Sequence, residues 1–282
     1  MMNCKNCGHI IHKGDTYCGH CGAKQIYQRI NVSFFIQESK EAIFNTDNNR
    51  PLRTFLHMFS KPHVVCQMYL DGVRKRYINP FAYITIALSL FGVFLFFFSD
   101  QFIEGLNSMS EPIEQNDVQL EFQKKINQLM LKYQSVATFI NIPIYALIYW
   151  IVFILHKKHN YLEHVIIILY TTAHVSIISS FLYFIGIWSK PLFTFLIFFV
   201  GSLTFIYYLY VYIRLYALSF WKSTLKILVT GIAFIGVMLL TAIIVYIIAF
   251  ASGTIDFKEF IEAENARRQV SYITSSFINW TS

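Results

Sequence analysis

Five long apolar runs, near 80–98, 136–155, 163–187, 191–213 and 227–250, constrain this chain more than any other feature. Each matches the roughly 20 residues that a helix needs to cross a hydrocarbon core of about 30 Å. Lipid offers no water to backbone N–H and C=O groups, so only helices and closed barrels span it. Barrel strands alternate in polarity over short segments, whereas these runs are continuous. The expected fold is therefore an all-α membrane protein, a bundle of about five transmembrane helices. Composition agrees, since 55% of residues are hydrophobic and only 14% charged, against about a quarter charged in soluble domains.

Basic residues near span ends set topology. If the N-terminus is cytosolic, the inner segments hold 16 of the 23 Lys and Arg residues but only 6 of the 16 acidic ones. The sequence shows no secretory signal before the first run near Pro80. A multi-pass membrane protein is expected, N-terminus cytosolic and C-terminus outside. The pI near 9.1 then reflects orientation, and the lipid bilayer is the expected partner. Arg74, Lys75 and Arg76 before the first span, and Arg214 at the end of the fourth, are expected at the membrane interface, where anionic headgroups attract each charge by about 1 kcal/mol.

Residues 1–24 carry two CxxC knuckles, Cys4/Cys7 and Cys18/Cys21, each followed by glycine. Four thiolates on two tight turns suit one tetrahedral, structural zinc, with no coordination position left open for catalysis. A module this small has almost no core, so the metal must supply most of its folding energy. Disulfide pairing is the rival in an oxidising compartment, and redox chemistry is a second, although no βαβ context surrounds either pair. His9, His12 and His20 are bystanders or substitute ligands. Cys66, the fifth cysteine, reads as a plain buried or interfacial thiol. Nucleic acid is not an expected partner, because the module offers only Lys5, Lys13, Lys24 and a lone Tyr17.

Residues 25–79 read as a cytosolic linker, with a turn-rich Asn45–Asn49. After it comes a short amphipathic helix: Pro51 stands at its start, Leu52, Phe55, Leu56 and Phe59 recur at helical spacing, and Pro62 ends it. It lies on the inner leaflet or packs on the cytosolic end of the bundle. A re-entrant segment near 52–70 stays open. The bundle occupies 80–250, interrupted by an outer loop over 99–135 with helix around 118–133, and 251–282 is a polar tail.

Ionisable groups inside spans are functional candidates. His156, His159, Glu163 and His164 cluster at an inner hairpin and resemble, thinly, the histidine clusters of membrane di-iron hydroxylases and desaturases. The competing reading makes His156 to His159 solvated loop residues and Glu163 the cap of the third helix. His174 lies well inside the third span, beside a stripe of Thr and Ser residues that suits helix packing in lipid. Asn141 and Pro143 mark a bend in the second span.

The order of a CxxC ribbon, the segment Tyr69-Leu70-Asp71-Gly72-Val73-Arg74-Lys75-Arg76-Tyr77-Ile78-Asn79-Pro80-Phe81, then Tyr161-Leu162-Glu163-His164 and Trp221-Lys222-Ser223-Thr224 resembles a bacterial integral-membrane family known as domain of unknown function 3667. The likeness runs to about residue 250, with Gly72, Arg74, Tyr77, Pro80, Glu163 and His164 matching its pattern. The resemblance implies a bacterial inner-membrane location and a multi-helix body, and supplies no substrate, reaction or catalytic residue. The leading functional expectation is a protein without demonstrable enzymatic activity, whose cytosolic zinc ribbon recognises a cytosolic or membrane partner or regulates. A lipid-acting metalloenzyme built on His156, His159, Glu163 and His164 is the second reading. A channel or carrier lined by His174 is the third.

Overall fold

The computed structural model describes residues 2–12, 14–26, 29–41, 50–108 and 117–251, with 253, 261 and 265. The turn-rich stretch 45–49 and most of the tail lie outside these. Among the described residues, two short strands, β1 (Met2–Asn3) and β2 (Ile10–Ile11), pair antiparallel within the cysteine module. Nine α-helices follow: α1 Val32–Glu41, α2 Arg50–Ser60, α3 Pro62–Leu70, α4 Pro80–Ser108, α5 Asp117–Lys132, α6 Gln134–Phe153, α7 Tyr161–Gly186, α8 Lys190–Tyr216 and α9 Phe220–Ala251.

Five of these helices are long and apolar enough to cross a membrane: Pro80–Asn107, Gln134–His156, Tyr161–Gly186, Lys190–Tyr216 and Trp221–Ala251. They coincide with the five expected runs and extend past most of their ends, the third stopping one residue short at Gly186. The first overshoots most, because α4 continues past a kink at Phe98 (φ −129°, ψ 21°) to Ser108, where the sequence had suggested a loop. The final turns are held by protein rather than lipid: Phe102 packs edge-on against Phe193 at 5.2 Å, and Asn107 accepts a 2.7 Å hydrogen bond from Asn127 of α5.

The axis of the bundle is α7. It is apolar on every side, as a helix enclosed by others must be, and its side chains from Glu163 to Tyr170 are all buried. Helices α3, α4, α6 and α8 pack around it, whereas α9 is almost wholly exposed and touches chiefly α5 and α6. Its serines and threonines mostly satisfy themselves within the helix: Thr171 donates to the Ile167 and Ile168 carbonyls, Ser179 to Val175 and Ser180 to Ser176. Thr172, bonded to the Tyr208 hydroxyl at 2.6 Å, makes the contact between helices.

Helices α2 and α3 are part of this body. Met58, Val65, Cys66 and Tyr69 are buried in the same core as α7. Phe55 and Phe59 of α2 lie against the ring of His174, at 5.3 and 4.5 Å between centroids. His174 lies thirteen residues along α7 from Tyr161, about 20 Å at 1.5 Å per residue. The hydroxyl of Tyr207 donates to the Met58 carbonyl at 2.9 Å, and the Ile78 amide donates to Thr54 Oγ1 at 3.0 Å. So α2 runs beside the middle of α7. Its packing face is Thr54 and Met58, while Leu52 and Leu56 remain 62% and 54% exposed, an apolar surface suited to hydrocarbon and costly in water.

Candidate metal centre and its seat on the bundle

Each knuckle closes on its glycine. The Gly8 amide donates to the Cys4 carbonyl at 2.8 Å and Gly22 to Cys18 at 2.7 Å. Both glycines sit at positive φ, +78° and +64°, where a side chain would be strained. The turns repeat in their outgoing bonds, Cys4 N to the His9 carbonyl at 2.8 Å and Cys18 N to Ala23 at 2.9 Å.

All four sulfurs lie within 4.8 Å of one another. Cys4 Sγ stands 3.7 Å from Cys21 and Cys7 Sγ 3.8 Å from Cys18. A tetrahedron with metal–sulfur bonds of about 2.3 Å has edges of about 3.8 Å, so the separations fit one ion at the centre. They are far too long for the roughly 2.05 Å of a disulfide, and all five cysteines are free. The four residues could hold a metal ion, and no other cluster of metal-ligating side chains forms among the described residues.

The thiols already prefer different charges. Burial raises Cys4, but the amides of Cys7 and Asn6 and the Gln25 side chain, 3.3 Å from its sulfur, outweigh it and bring the thiol down to about 6. The backbone beside His9 favours the Cys7 thiolate, yet burial and the three neighbouring cysteines push Cys7 up to about 12. Burial raises Cys21 too, but the Ala23 amide and the Asn6 side chain hold it below its ordinary value. Thiolate is therefore favoured at some positions of the cluster and opposed at Cys7, and four anions together call for a cation among them.

The module is seated on the end of the bundle where α4 and α7 begin. Lys75 Nζ donates to the Cys21 carbonyl at 2.9 Å, and Lys5 Nζ donates to the Ile26 carbonyl at 2.6 Å. Gly72, at φ +96°, lies under that Ile26 carbonyl so closely that a Cβ would stand 2.8 Å from it. Further along, Ile30 is buried in the main core, and Arg29 pairs with Glu163 at 2.7 and 3.0 Å.

Glu163 is the hub of this contact. Its backbone N–H donates to the Asn160 side chain at 2.9 Å, and its carboxylate accepts from the Asn160 amide at 2.8 Å, a capping box that starts α7. Asn160 Nδ2 also reaches the Ile30 carbonyl at 3.0 Å. His159 Nδ1 lies 3.5 Å from the same carboxylate. The pairing holds the Arg29 guanidinium more firmly charged than usual, through the hydrogen bond first and the charge second.

His164 faces Tyr212 with Nδ1 at 3.0 Å and Tyr216 with Nε2 at 3.1 Å, so tyrosine hydroxyls occupy both ring nitrogens. His156 is exposed and lies against Phe153 and Tyr216, whereas His159 is tucked in, its side chain 5% exposed. All three imidazoles border the Tyr216 ring, and His159 and His164 lie 6.2 Å apart between centroids, but among the described residues they do not gather into a metal-ligating cluster. His174 bonds the Tyr83 hydroxyl at 3.0 Å within a wall of Phe55, Phe59 and Tyr207. Asn141 is half-buried in α6, which runs on through Pro143, and the Pro143 carbonyl accepts from Tyr161 at 3.3 Å. Arg74 lies over the Tyr69 ring at 3.7 Å and bonds the Tyr69 carbonyl, so it ties protein segments together. Arg76 and Arg214 are exposed. The sequence named Glu163 as a cap; Arg29 and the docking role of Lys75 were missed. Asn160 three residues before Glu163 is the signal that would have completed the box.

Fold and site together define a multi-span α-helical membrane protein with a four-cysteine cluster that could hold a metal ion, resting on one end of its bundle. Residues 49–92 match a family described as Protein of unknown function (DUF3667). The match takes in α2, α3, the Tyr69–Phe81 segment and the first half of α4, and leaves the cysteine module outside. No curated protein and no solved structure matches the chain.

Proposed function

We propose that this is a bacterial inner-membrane protein whose zinc ribbon, on the cytosolic side, presents a recognition surface to a protein partner while the bundle holds it at a fixed height and orientation. The observation that carries the reading is the two-sidedness of the module. Its bundle side is spent on Lys5, Lys75, Gly72 and Ile26. On the remaining surface Ile10 and Tyr17 are 60% and 59% exposed, and His9 stacks on His20 at 4.9 Å. A rigid platform that leaves Tyr17 exposed offers a side chain of the kind enriched among residues that dominate protein interfaces. The excess of Lys and Arg on the segments flanking this end supports the cytosolic placement.

The test is photo-crosslinking in native membranes from a reactive residue placed at Ile10 or Tyr17, with Lys5 on the bundle side as the control. A discrete adduct from the first two positions, absent at Lys5 and lost in Cys4→Ser/Cys7→Ser, is the expected result. Equal adducts from all three positions, or none from Ile10 and Tyr17, would remove the reading.

A further inference from the structure

Two cavities of similar size open along the bundle, and their linings differ. One, about 380 Å³, lies between α4 and α7 against Leu90, Val93, Phe94, Phe97, Phe181 and Phe184. Its hydroxyl-bearing residue, Ser180, donates to its own helix. Nothing there distinguishes one hydrocarbon chain from another, and bulk lipid suits it.

The second, about 340 Å³, lies at the end of the bundle away from the cysteine module. Leu106 of α4, Leu129 and Met130 of α5, Ala137 of α6, Tyr183 of α7 and Val245 of α9 wall it. Its size falls within the roughly 300–1,000 Å³ of small-molecule sites, which are mostly apolar with a few placed polar groups. Thr241 donates to its own helix, and two other polar groups sit together at one edge. The chain leaves helical geometry at Tyr133 (φ −105°, ψ 10°), between α5 and α6, and sets Tyr133 and Gln134 side by side in the lining. Lys132, exposed, holds its ammonium 5.4 Å from the Tyr133 ring centroid. No carboxylate pairs with Lys132 among the described residues. Gln134 is also the first residue of a span, so the polar edge lies at headgroup level and the apolar walls run inward.

We propose that this cavity binds an amphiphile with a single acyl chain and an anionic head, the chain against Leu106, Ala137 and Val245 and the head at Gln134 and Lys132. The charge of Lys132 and the amide of Gln134 select an anion over a neutral head. The apolar wall formed by five different helices bounds about 340 Å³, room for one chain rather than the two of a bilayer phospholipid. A free fatty acid and an anionic lysophospholipid share this chemistry.

Binding of labelled oleate, lysophosphatidylglycerol and oleyl alcohol to the full chain in phosphatidylcholine nanodiscs tests the proposal. The wild type should take up one oleate or lysophosphatidylglycerol per chain, the tighter of the two naming the source, and bind oleyl alcohol at least about fivefold more weakly. Ala137→Trp, which fills the cavity from α6, should weaken the anion by about tenfold or more. Leu106→Trp does so from α4 and keeps the test decisive if the first variant does not fold. Lys132→Gln should weaken oleate about fivefold and leave oleyl alcohol unchanged. Oleate binding that survives a folded cavity-filling variant overturns the site. Oleyl alcohol binding as tightly as oleate overturns the anionic head.

Discussion

The guanidinium of Arg29 grips both carboxylate oxygens of Glu163 across 134 positions of sequence, with Nη2 at 2.7 Å and Nε at 3.0 Å. The carboxylate is buried while Arg29 is 61% exposed, so the pair matters less for its charge attraction, which water screens, than for what it holds. Glu163→Ala removes the carboxylate half of the α7 capping box and the grip on the arm together, leaving the Asn160 side chain on the backbone N–H of residue 163, and should cost about 2 kcal/mol or more of stability. Glu163→Gln keeps a capping side chain and should cost less. Thermal unfolding in detergent, followed by helical circular dichroism, checks the order. Equal losses would mean that the cap contributes nothing.

Gly72 places a second constraint on the docked module. At φ +96° and with the Ile26 carbonyl where a Cβ would go, Gly72→Ala should destabilise by at least about 1 kcal/mol and loosen the module without unmaking its metal site. The expected outcome is a lower unfolding midpoint, faster proteolysis between residues 22 and 32, and unchanged metal content. Loss of metal in this variant would show that the knuckles do not fold independently of their seat.

Protons compete with the metal for the cysteines. Cys7, pushed up to about 12, must shed a proton when an ion binds at neutral pH, whereas Cys4, down at about 6, is already a thiolate. The sign follows: binding releases protons, so affinity rises with pH and falls as the solution is acidified. In the metal-free fold Cys4 adds stability that is complete above its ordinary 9.0 and lost as pH falls toward about 6. A fixed chelator concentration should therefore strip far more metal at pH 5.5 than at pH 8. Stripped protein should expose four alkylatable thiols and not Cys66, whose burial pushes it up to about 12. Retention independent of pH would contradict thiolate ligation.

His63 on α3 supplies a second pH dependence. Burial first, then Arg214 and Lys61, lowers it below its ordinary 6.5. A histidine held neutral in the fold adds stability that is present above 6.5 and lost as pH falls through that value toward the lowered one. The unfolding midpoint of His63→Gln should drop less between pH 7.5 and 5.5 than that of the wild type. Identical drops would leave His63 without a part in the acid response.

What the sequence made legible was what short-range pattern encodes. Continuous hydropathy placed the five spans, and the spacing of Cys4, Cys7, Cys18 and Cys21 placed the four-thiol cluster. The periodicity of Leu52, Phe55, Leu56 and Phe59 gave α2 as a helix, but that apolar stripe does not pack as a unit. Thr54 and Met58 face the protein, and Leu52 and Leu56 face outward, because beside a membrane both sides of a helix can be apolar. Nor does hydropathy mark where α4 ends: beyond Phe98 its partners are Phe193 and Asn127, contacts that exist only once distant helices meet. The same holds for Arg29 and Glu163. Arg29 reads locally as a solvated charge and Glu163 as a helix cap, and their pairing belongs to the assembled chain.

The central claim is a metal-centred module fixed to a membrane bundle, and metal content per chain tests it most directly. Elemental analysis of detergent-purified wild type and Cys4→Ser/Cys7→Ser should give about one zinc per chain, lost in the variant, in keeping with four thiolates around one tetrahedral ion. Wild-type protein without bound metal, or metal that persists in the variant, would contradict it.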